Sequence, residues 1–161
     1  MKKLALFVVA INLVFWFASP VLASAPVVEK HDVVLNYPMS DQPCSNGEIW
    51  DYEVFTYTLT TFTDQQGNPQ RISIHAVGTD NFYNPANPDL KLSGHFVHNF
   101  SVNLITGEVA EFGVPVHITV PGYGTVLVEA GRWFADGRIV GKHSFTDTSD
   151  IAQFCSILAP P

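Results

Sequence analysis

Residues 114–145 carry the pattern that most constrains the fold of this chain. Three runs rich in Val, Ile, Leu, Thr, Trp and Phe are separated by two compact turn signals, at residues 121–124 and 135–137. Proline fixes φ and glycine supplies positive φ, which tight reversals between antiparallel strands need. We therefore predict a β-meander of three strands in this segment.

Further strand-like runs precede the meander. Residues 49–62 alternate with period two, which places Phe55, Tyr57 and Leu59 on one face. Runs at 71–77 and 91–104 follow, and the many turn formers of residues 78–90 predict a long surface loop between them. With about eight such runs, we predict an all-β fold, a single antiparallel β-barrel or, as the alternative, a two-sheet β-sandwich.

A pattern of apolar residues typical of an amphipathic helix lies near the end of the chain. Four residues there follow the i, i+3, i+4, i+7 spacing of one helix face, and Ser149 and Asp150 precede them as capping candidates. The four are Ile151, Phe154, Cys155 and Leu158. We predict a short C-terminal helix packed on the β domain.

The first 25 residues have the three parts of a secretory signal. Lys2 and Lys3 precede an apolar core, and small residues end the stretch. An uncleaved membrane anchor is the alternative, but the core is short for a bilayer and Pro20 interrupts it. We predict a signal peptide at 1–25, an extended leader with one edge strand at 26–43, and an antiparallel β domain at 44–161. The mature protein is then secreted or periplasmic, without a stable membrane anchor.

The charge of the chain disfavours one class of partner. The formal net charge is −7, and removal of a signal that contains two lysines makes it more negative. Binding to nucleic acid needs a basic surface that neutralises phosphates, so we expect no nucleic-acid partner. Charged residues make up 14% of the chain and hydrophobic residues 47%, which indicates a packed domain rather than disorder.

The chain has two cysteines, Cys44 and Cys155. In an oxidising compartment a single disulfide between them is the default interpretation. Two free thiols or a metal pair are the alternatives, although neither cysteine has the near neighbours of a Cys-x-x-Cys metal site.

The common catalytic and cofactor motifs, such as G-x-S-x-G, H-E-x-x-H and the Walker loop, do not occur in the sequence. His95 and His98 lie at i and i+3 of a strand and point to opposite faces, which disfavours a metal site there. Asp147 and Asp150 could hold calcium, but helix capping explains both. We therefore predict no metal site and no cofactor.

An acidic and aromatic stretch begins the first long strand. Glu48, Asp51 and Glu53 flank Trp50 and Tyr52, which could form an edge that contacts carbohydrate. The interpretation we favour is a strand start with its charges in water and its aromatic rings in the core.

Parity within the meander selects three ligand-binding candidates. Antiparallel partners share a face, so the two turns place His117, Arg132 and His143 on one face among apolar side chains. Such residues can orient a ligand or exchange a proton. A solvent-facing role is the simpler interpretation, because no carboxylate is assigned to that face.

Three further features carry a resemblance. They are the C-x-x-G-E start at residues 44–48, the G-x-G and G-R positions between 122 and 132, and the late Cys155. In these features the chain resembles small uncharacterised secreted bacterial β-proteins. The resemblance implies export and a compact β fold, and it provides no catalytic residue.

The function we expect is that of a secreted, non-catalytic β-barrel that binds a small apolar molecule. One alternative is a barrel enzyme of the isomerase or cyclase type, in which His117 or His143 transfers a proton. The other is a structural or interaction module without a cavity. A filled interior would exclude the first two functions.

Overall fold

The computed structural model describes residues 24–39, 43–134, 139–143 and 150–160. Within them the chain forms seven strands and one helix. The strands are β1 (Val27–Pro38), β2 (Trp50–Thr63), β3 (Pro69–Asn84), β4 (Asn87–Asn103), β5 (Val109–Val120), β6 (Gly124–Phe134) and β7 (Ile139–His143), and the helix is α1 (Ile151–Leu158). The predicted signal peptide, apart from its last two residues, lies outside the described residues.

The seven strands form one antiparallel sheet in chain order, from β1 to β7. The all-β antiparallel architecture and the short C-terminal helix are therefore confirmed. Closure into a barrel is not shown, because within the described residues β1 pairs with β2 alone and β7 with β6 alone. The described strands also lie in a single sheet, rather than in the two sheets of a sandwich.

The predicted meander is present as β5, β6 and β7. Gly122, in the turn between β5 and β6, and Gly124, the first residue of β6, adopt φ values of 84° and 89°, a region that glycine enters without strain. The second predicted turn, at residues 135–137, lies outside the described residues. At the other end of the sheet, β1 falls within the segment predicted as a leader and forms an edge strand.

The prediction of a long loop at residues 78–90 is wrong. The strands β3 and β4 run almost through this segment and are joined by Pro85 and Ala86 alone. The Asn84 side chain accepts a hydrogen bond of 2.9 Å from the Ala86 backbone nitrogen, which closes the turn locally. Phe82 is buried in the core and holds the end of β3 in place. The turn is thus confined to two residues, although turn-forming residue types extend over residues 78–90. Burial of Phe82, which lies among these residue types, keeps the rest of the segment in the strands.

The helix α1 covers one end of one face of the sheet. Phe154 and Leu158 are buried, and the Phe154 ring meets the Phe82 ring edge-on at 5.7 Å. The buried cluster there contains Cys44, Ile49, Phe82, Leu92, Ile118, Val126, Leu127, Phe154, Leu158 and Ala159. The predicted disulfide between Cys44 and Cys155 is present and joins α1 to the segment before β2. Asp150 occupies the N-cap position, but its side chain makes no capping hydrogen bond.

The same face of the sheet continues beyond α1 and is lined by side chains from β1 to β6 around one pocket. Six consecutive strands can border one pocket only if the sheet curls, so this face is concave. No helix among the described residues has the length and apolar character needed to cross a bilayer.

Candidate functional site

The concave face holds a pocket with a volume of about 590 Å³. Its apolar wall is formed by Met39, Phe55, Ala76, Phe82, Phe96, Pro115 and Val116. Its polar lining consists of Tyr37, Asp51, Glu53, Asp80, His98 and Glu129. An apolar wall with a few polar groups is the usual composition of a site for a small molecule.

The strand registers explain why these side chains converge. Side chains two residues apart in a strand share a face, so Asp51, Glu53 and Phe55 of β2 all point to the concave side. Phe55 lies opposite Gly78 of β3, which in turn lies opposite Phe96 of β4. Because Gly78 has no side chain, the two phenyl rings approach to 5.8 Å and form one continuous wall.

Three carboxyl groups gather at one side of the pocket, next to the apolar core. One oxygen atom from each of Asp51, Glu53 and Asp80 lies within 4.8 Å of the other two. Asp51 is only 4% exposed and Asp80 only 2%, whereas Glu53 is half-buried. We call these three residues the acidic cluster.

Burial raises the pKa values of the two aspartates in the cluster. Loss of hydration raises the pKa of Asp51 to about 7, and the charge of Glu53 adds to the effect. Burial raises the pKa of Asp80 to about 8, with further contributions from the charges of Asp51 and Glu53. Asp51 and Asp80 therefore resist ionising together near neutral pH.

The members of the cluster differ in their hydrogen bonds. The Asn81 backbone nitrogen donates to Asp51 Oδ1 at 3.1 Å, and the Tyr37 hydroxyl donates to Glu53 Oε1 at 2.5 Å. Burial, followed by this bond to Glu53, raises the pKa of Tyr37, so the hydroxyl keeps its proton. In contrast, Asp80 Oδ2 is buried and has no hydrogen-bond partner among the described residues.

A second polar group lines the pocket from β4 and β6 and includes His98 and Glu129. His98 Nε2 and Glu111 Oε1 are 2.8 Å apart, and the Trp133 ring lies edge-on to the imidazole at 6.3 Å. Burial raises the pKa of Glu129, although a hydrogen bond from the Trp133 side chain opposes this effect. An imidazole beside a carboxylate can accept or donate a proton.

The three candidates from the meander do not line this pocket as a group. His117 and Arg132 are exposed and do not contribute to the pocket lining. The backbone register places His117 opposite Val128 and His143 opposite Ala130. Val128, Ala130 and Arg132 alternate along β6, so the positions of all three candidates lie on the same face of the sheet. The side chain of His143 lies outside the described residues. The role of these three residues in binding stays a prediction.

The expectation that the acids at the start of β2 lie in water is wrong for Asp51. Trp50 and Tyr52 occupy the other face, and Asp51 points inward against the core. The alternation that predicted a shared face for Phe55 and Tyr57 also includes Glu53 and Asp51, which are the preceding alternate residues. This alternation could have predicted from the sequence that Asp51 points inward. It was outweighed by the general rule that carboxylates stay in water.

The pocket as a whole can bind an apolar body by burial and a polar group through hydrogen bonds to carboxyl and hydroxyl oxygens. Its acids and its His98 also offer proton donors and acceptors. No family model, curated protein or solved structure matches the chain, so the chemistry of the pocket is inferred from its own residues.

Proposed function

We propose that this chain is a secreted binding protein for a small, largely apolar molecule that carries an uncharged polar group. The observation that carries the proposal is the pocket of about 590 Å³, with its apolar wall and the acidic cluster beside it. A volume of roughly 300–1,000 Å³ is typical of sites for small molecules. The cavity-free module expected as an alternative is disfavoured by this pocket.

The apolar wall supplies the affinity in this proposal. Each Å² of apolar ligand surface removed from water contributes roughly 25 cal/mol, so burial of about 200 Å² contributes about 5 kcal/mol. The phenyl rings of Phe55 and Phe96 line the pocket and can contact such a ligand. A planar or ring-containing apolar molecule suits this wall.

The carboxyl groups supply the selectivity. Glu53, half-buried and hydrogen-bonded to Tyr37, presents acceptor oxygens at the side of the pocket. A ligand hydroxyl can donate to these oxygens, whereas a ligand carboxylate or phosphate is repelled by them. The polar group of the ligand is therefore a hydrogen-bond donor without negative charge.

In this proposal the protein is exported, and its curved sheet encloses the ligand. The signal-like residues 1–25 and the disulfide between Cys44 and Cys155 support export to an oxidising compartment. The sheet serves as an incomplete barrel, in which six strands surround the ligand and α1 closes one end.

Extraction of bound molecules from natively purified protein tests the proposal. The variant Ala76→Trp should fill the pocket, because Ala76 lines it, whereas Ala86→Trp adds the same ring on an exposed turn. Wild-type protein and Ala86→Trp should release the same molecule, detectable by mass spectrometry, and Ala76→Trp should release little of it. Equal recovery from all three proteins would count against this pocket.

A second candidate is an enzyme of the isomerase or cyclase type in the same pocket. The observation that favours it is the pairing of His98 with Glu111, since His98 lines the pocket and His117 does not. The extracted molecule, incubated with wild-type protein and with His98→Gln, distinguishes the two functions. Conversion by the wild type alone supports proton transfer by His98, and an unchanged molecule in both samples supports binding only.

A further inference from the structure

We propose that the acidic cluster of Asp51, Glu53 and Asp80 is a divalent-cation site whose occupant is Ca²⁺. The site lies in the wall of the pocket, but it requires no organic ligand, so it goes beyond the proposed function and can be tested separately. The three acids come from two neighbouring strands, which is why no sequence motif marks them.

The geometry of the cluster suits a single cation. Calcium binds oxygen ligands at about 2.3–2.6 Å, so two of its ligands can be separated by up to about 5 Å. One oxygen from each acid lies within 4.8 Å of the other two. Asp51 and Glu53 share a face of β2, and Asp80 meets them from β3, so the three carboxyl groups converge from two neighbouring strands.

The buried side chain of Asp80 is the independent observation that points to a ligand. This residue is 2% exposed, lines the pocket, and has an oxygen, Oδ2, without a hydrogen-bond partner among the described residues. An unsatisfied buried acceptor costs about 1–3 kcal/mol, and more when it is charged, so native structures rarely keep one without a purpose. A cation coordinated by this oxygen removes that cost.

No basic side chain compensates the cluster within the described part of the chain. The ion pairs there join His31 to Glu29 and His98 to Glu111. Lys91 of β4, which pairs with β3, lies over the rings of Tyr52 and Tyr83 at 5.5 Å from each. Buried carboxylates without a counter-charge are strongly disfavoured, and a divalent cation supplies two positive charges at once.

Calcium fits better than magnesium on coordination grounds. Calcium accepts six to eight oxygens in irregular arrangements, and its carboxylate ligands bind through one or both oxygens. Magnesium requires a near-ideal octahedron at about 2.0–2.1 Å and keeps several of its waters. The half-buried Glu53 and the adjoining open pocket leave room for water molecules to complete a calcium shell.

Calorimetric titration with CaCl₂ and thermal unfolding, both on the mature protein stripped of metal with EDTA, test this site. Wild-type protein should bind Ca²⁺, and its unfolding midpoint should rise with the concentration of Ca²⁺. Asp80→Asn keeps the shape of the side chain but removes its charge. This variant should unfold at a higher temperature than the wild type in EDTA and should bind Ca²⁺ about tenfold or more weakly.

Two further variants keep the test decisive. Glu53→Gln, at the least buried of the three positions, should weaken Ca²⁺ binding as Asp80→Asn does, even if the latter folds poorly. Glu48→Gln removes an exposed acid close to the start of β2 and should bind Ca²⁺ as the wild type does. Absence of Ca²⁺ binding to the wild type would overturn the site, as would unchanged binding to both cluster variants. Tighter binding of Mg²⁺ than of Ca²⁺ would overturn the choice of calcium.

Discussion

Two aspartates show how differently one side chain can be accommodated in this molecule. Asp80 is buried with an oxygen that has no partner among the described residues, whereas Asp64 is half-buried and both of its oxygens accept hydrogen bonds. In the turn between β2 and β3, Asp64 Oδ1 accepts hydrogen bonds from the backbone nitrogens of Gln66 at 2.9 Å and Asn68 at 2.8 Å. Its Oδ2 accepts hydrogen bonds from the side-chain nitrogens of Asn68 at 3.0 Å and Gln70 at 3.1 Å. Asp64 therefore organises this turn through its charge.

We predict that Asp64→Ala lowers the thermal unfolding midpoint at pH 7. The bonds from Asn68, with that of Gln66, hold the pKa of Asp64 below its usual range, so its contribution is present above the ordinary carboxyl pKa. The contribution is lost as the pH falls through the lowered pKa, so the gap between variant and wild type should close in acid. Differential scanning calorimetry across this range measures the gap. Asp89→Ala, at an exposed aspartate whose side chain makes no hydrogen bond within the described part of the chain, is the control, and an equal loss there would contradict the prediction.

The helix α1 depends on its surroundings for its stability. It has eight residues, which is too short for an isolated helix in water, and its N-cap side chain makes no capping bond. Burial of Phe154 and Leu158 and the disulfide from Cys155 to Cys44 hold it against the sheet. The helix in turn closes the end of the concave face next to the acidic cluster.

Removal of the disulfide should therefore loosen α1 and the whole fold. The bridge spans 111 residues, and in the chain-entropy model a loop of about 100 residues contributes about 4.7 kcal/mol, although measured values are often smaller. The double variant Cys44→Ala/Cys155→Ala should lose several kcal/mol of unfolding free energy in urea titrations. Reductant should destabilise the wild type and leave the double variant unchanged. Equal stability of the two proteins without reductant would contradict this role.

Local patterns predicted most elements because each depends on neighbours in the chain. Alternation identified β2, the turn residues at 121–124 identified the first hairpin of the meander, and the i, i+3, i+4, i+7 spacing identified α1. The disulfide followed from the number of cysteines. The link between β3 and β4 was mispredicted, because burial of Phe82 outweighs the turn formers around it.

The pocket could not be predicted in the same way, because it depends on long-range register and curvature. Irregularities in pairing occur between Gly113 and Val116 of β5 and between Gly94 and Val97 of β4. Such irregularities bend strands and re-aim side chains, and the sequence does not mark them clearly. The inward position of Asp51 also conflicts with its polarity, and that conflict is typical of functional sites.

At the scale of the whole molecule, an acidic chain curls around a pocket that is itself acidic. The formal net charge of −7 and the acidic cluster both act against an anionic ligand. We predict that, in metal-free buffer, the uncharged probe N-phenyl-1-naphthylamine binds about tenfold or more tightly than the fatty-acid anion cis-parinarate. Fluorescence titration measures both. Glu53→Gln should reduce the difference in affinity between the two probes. Tighter binding of cis-parinarate than of N-phenyl-1-naphthylamine by the wild type would contradict the charge argument.

The most direct test of the central claim is a titration of N-phenyl-1-naphthylamine into wild-type protein, Ala76→Trp and Ala86→Trp. The probe is excited at a wavelength where tryptophan does not absorb, and circular dichroism checks that each variant is folded. If the concave pocket binds apolar molecules, the wild type and Ala86→Trp bind one probe each with similar affinity, and Ala76→Trp binds it at least about tenfold more weakly. Equal binding by all three proteins, or no binding by the wild type, would contradict the claim that this pocket is the functional site.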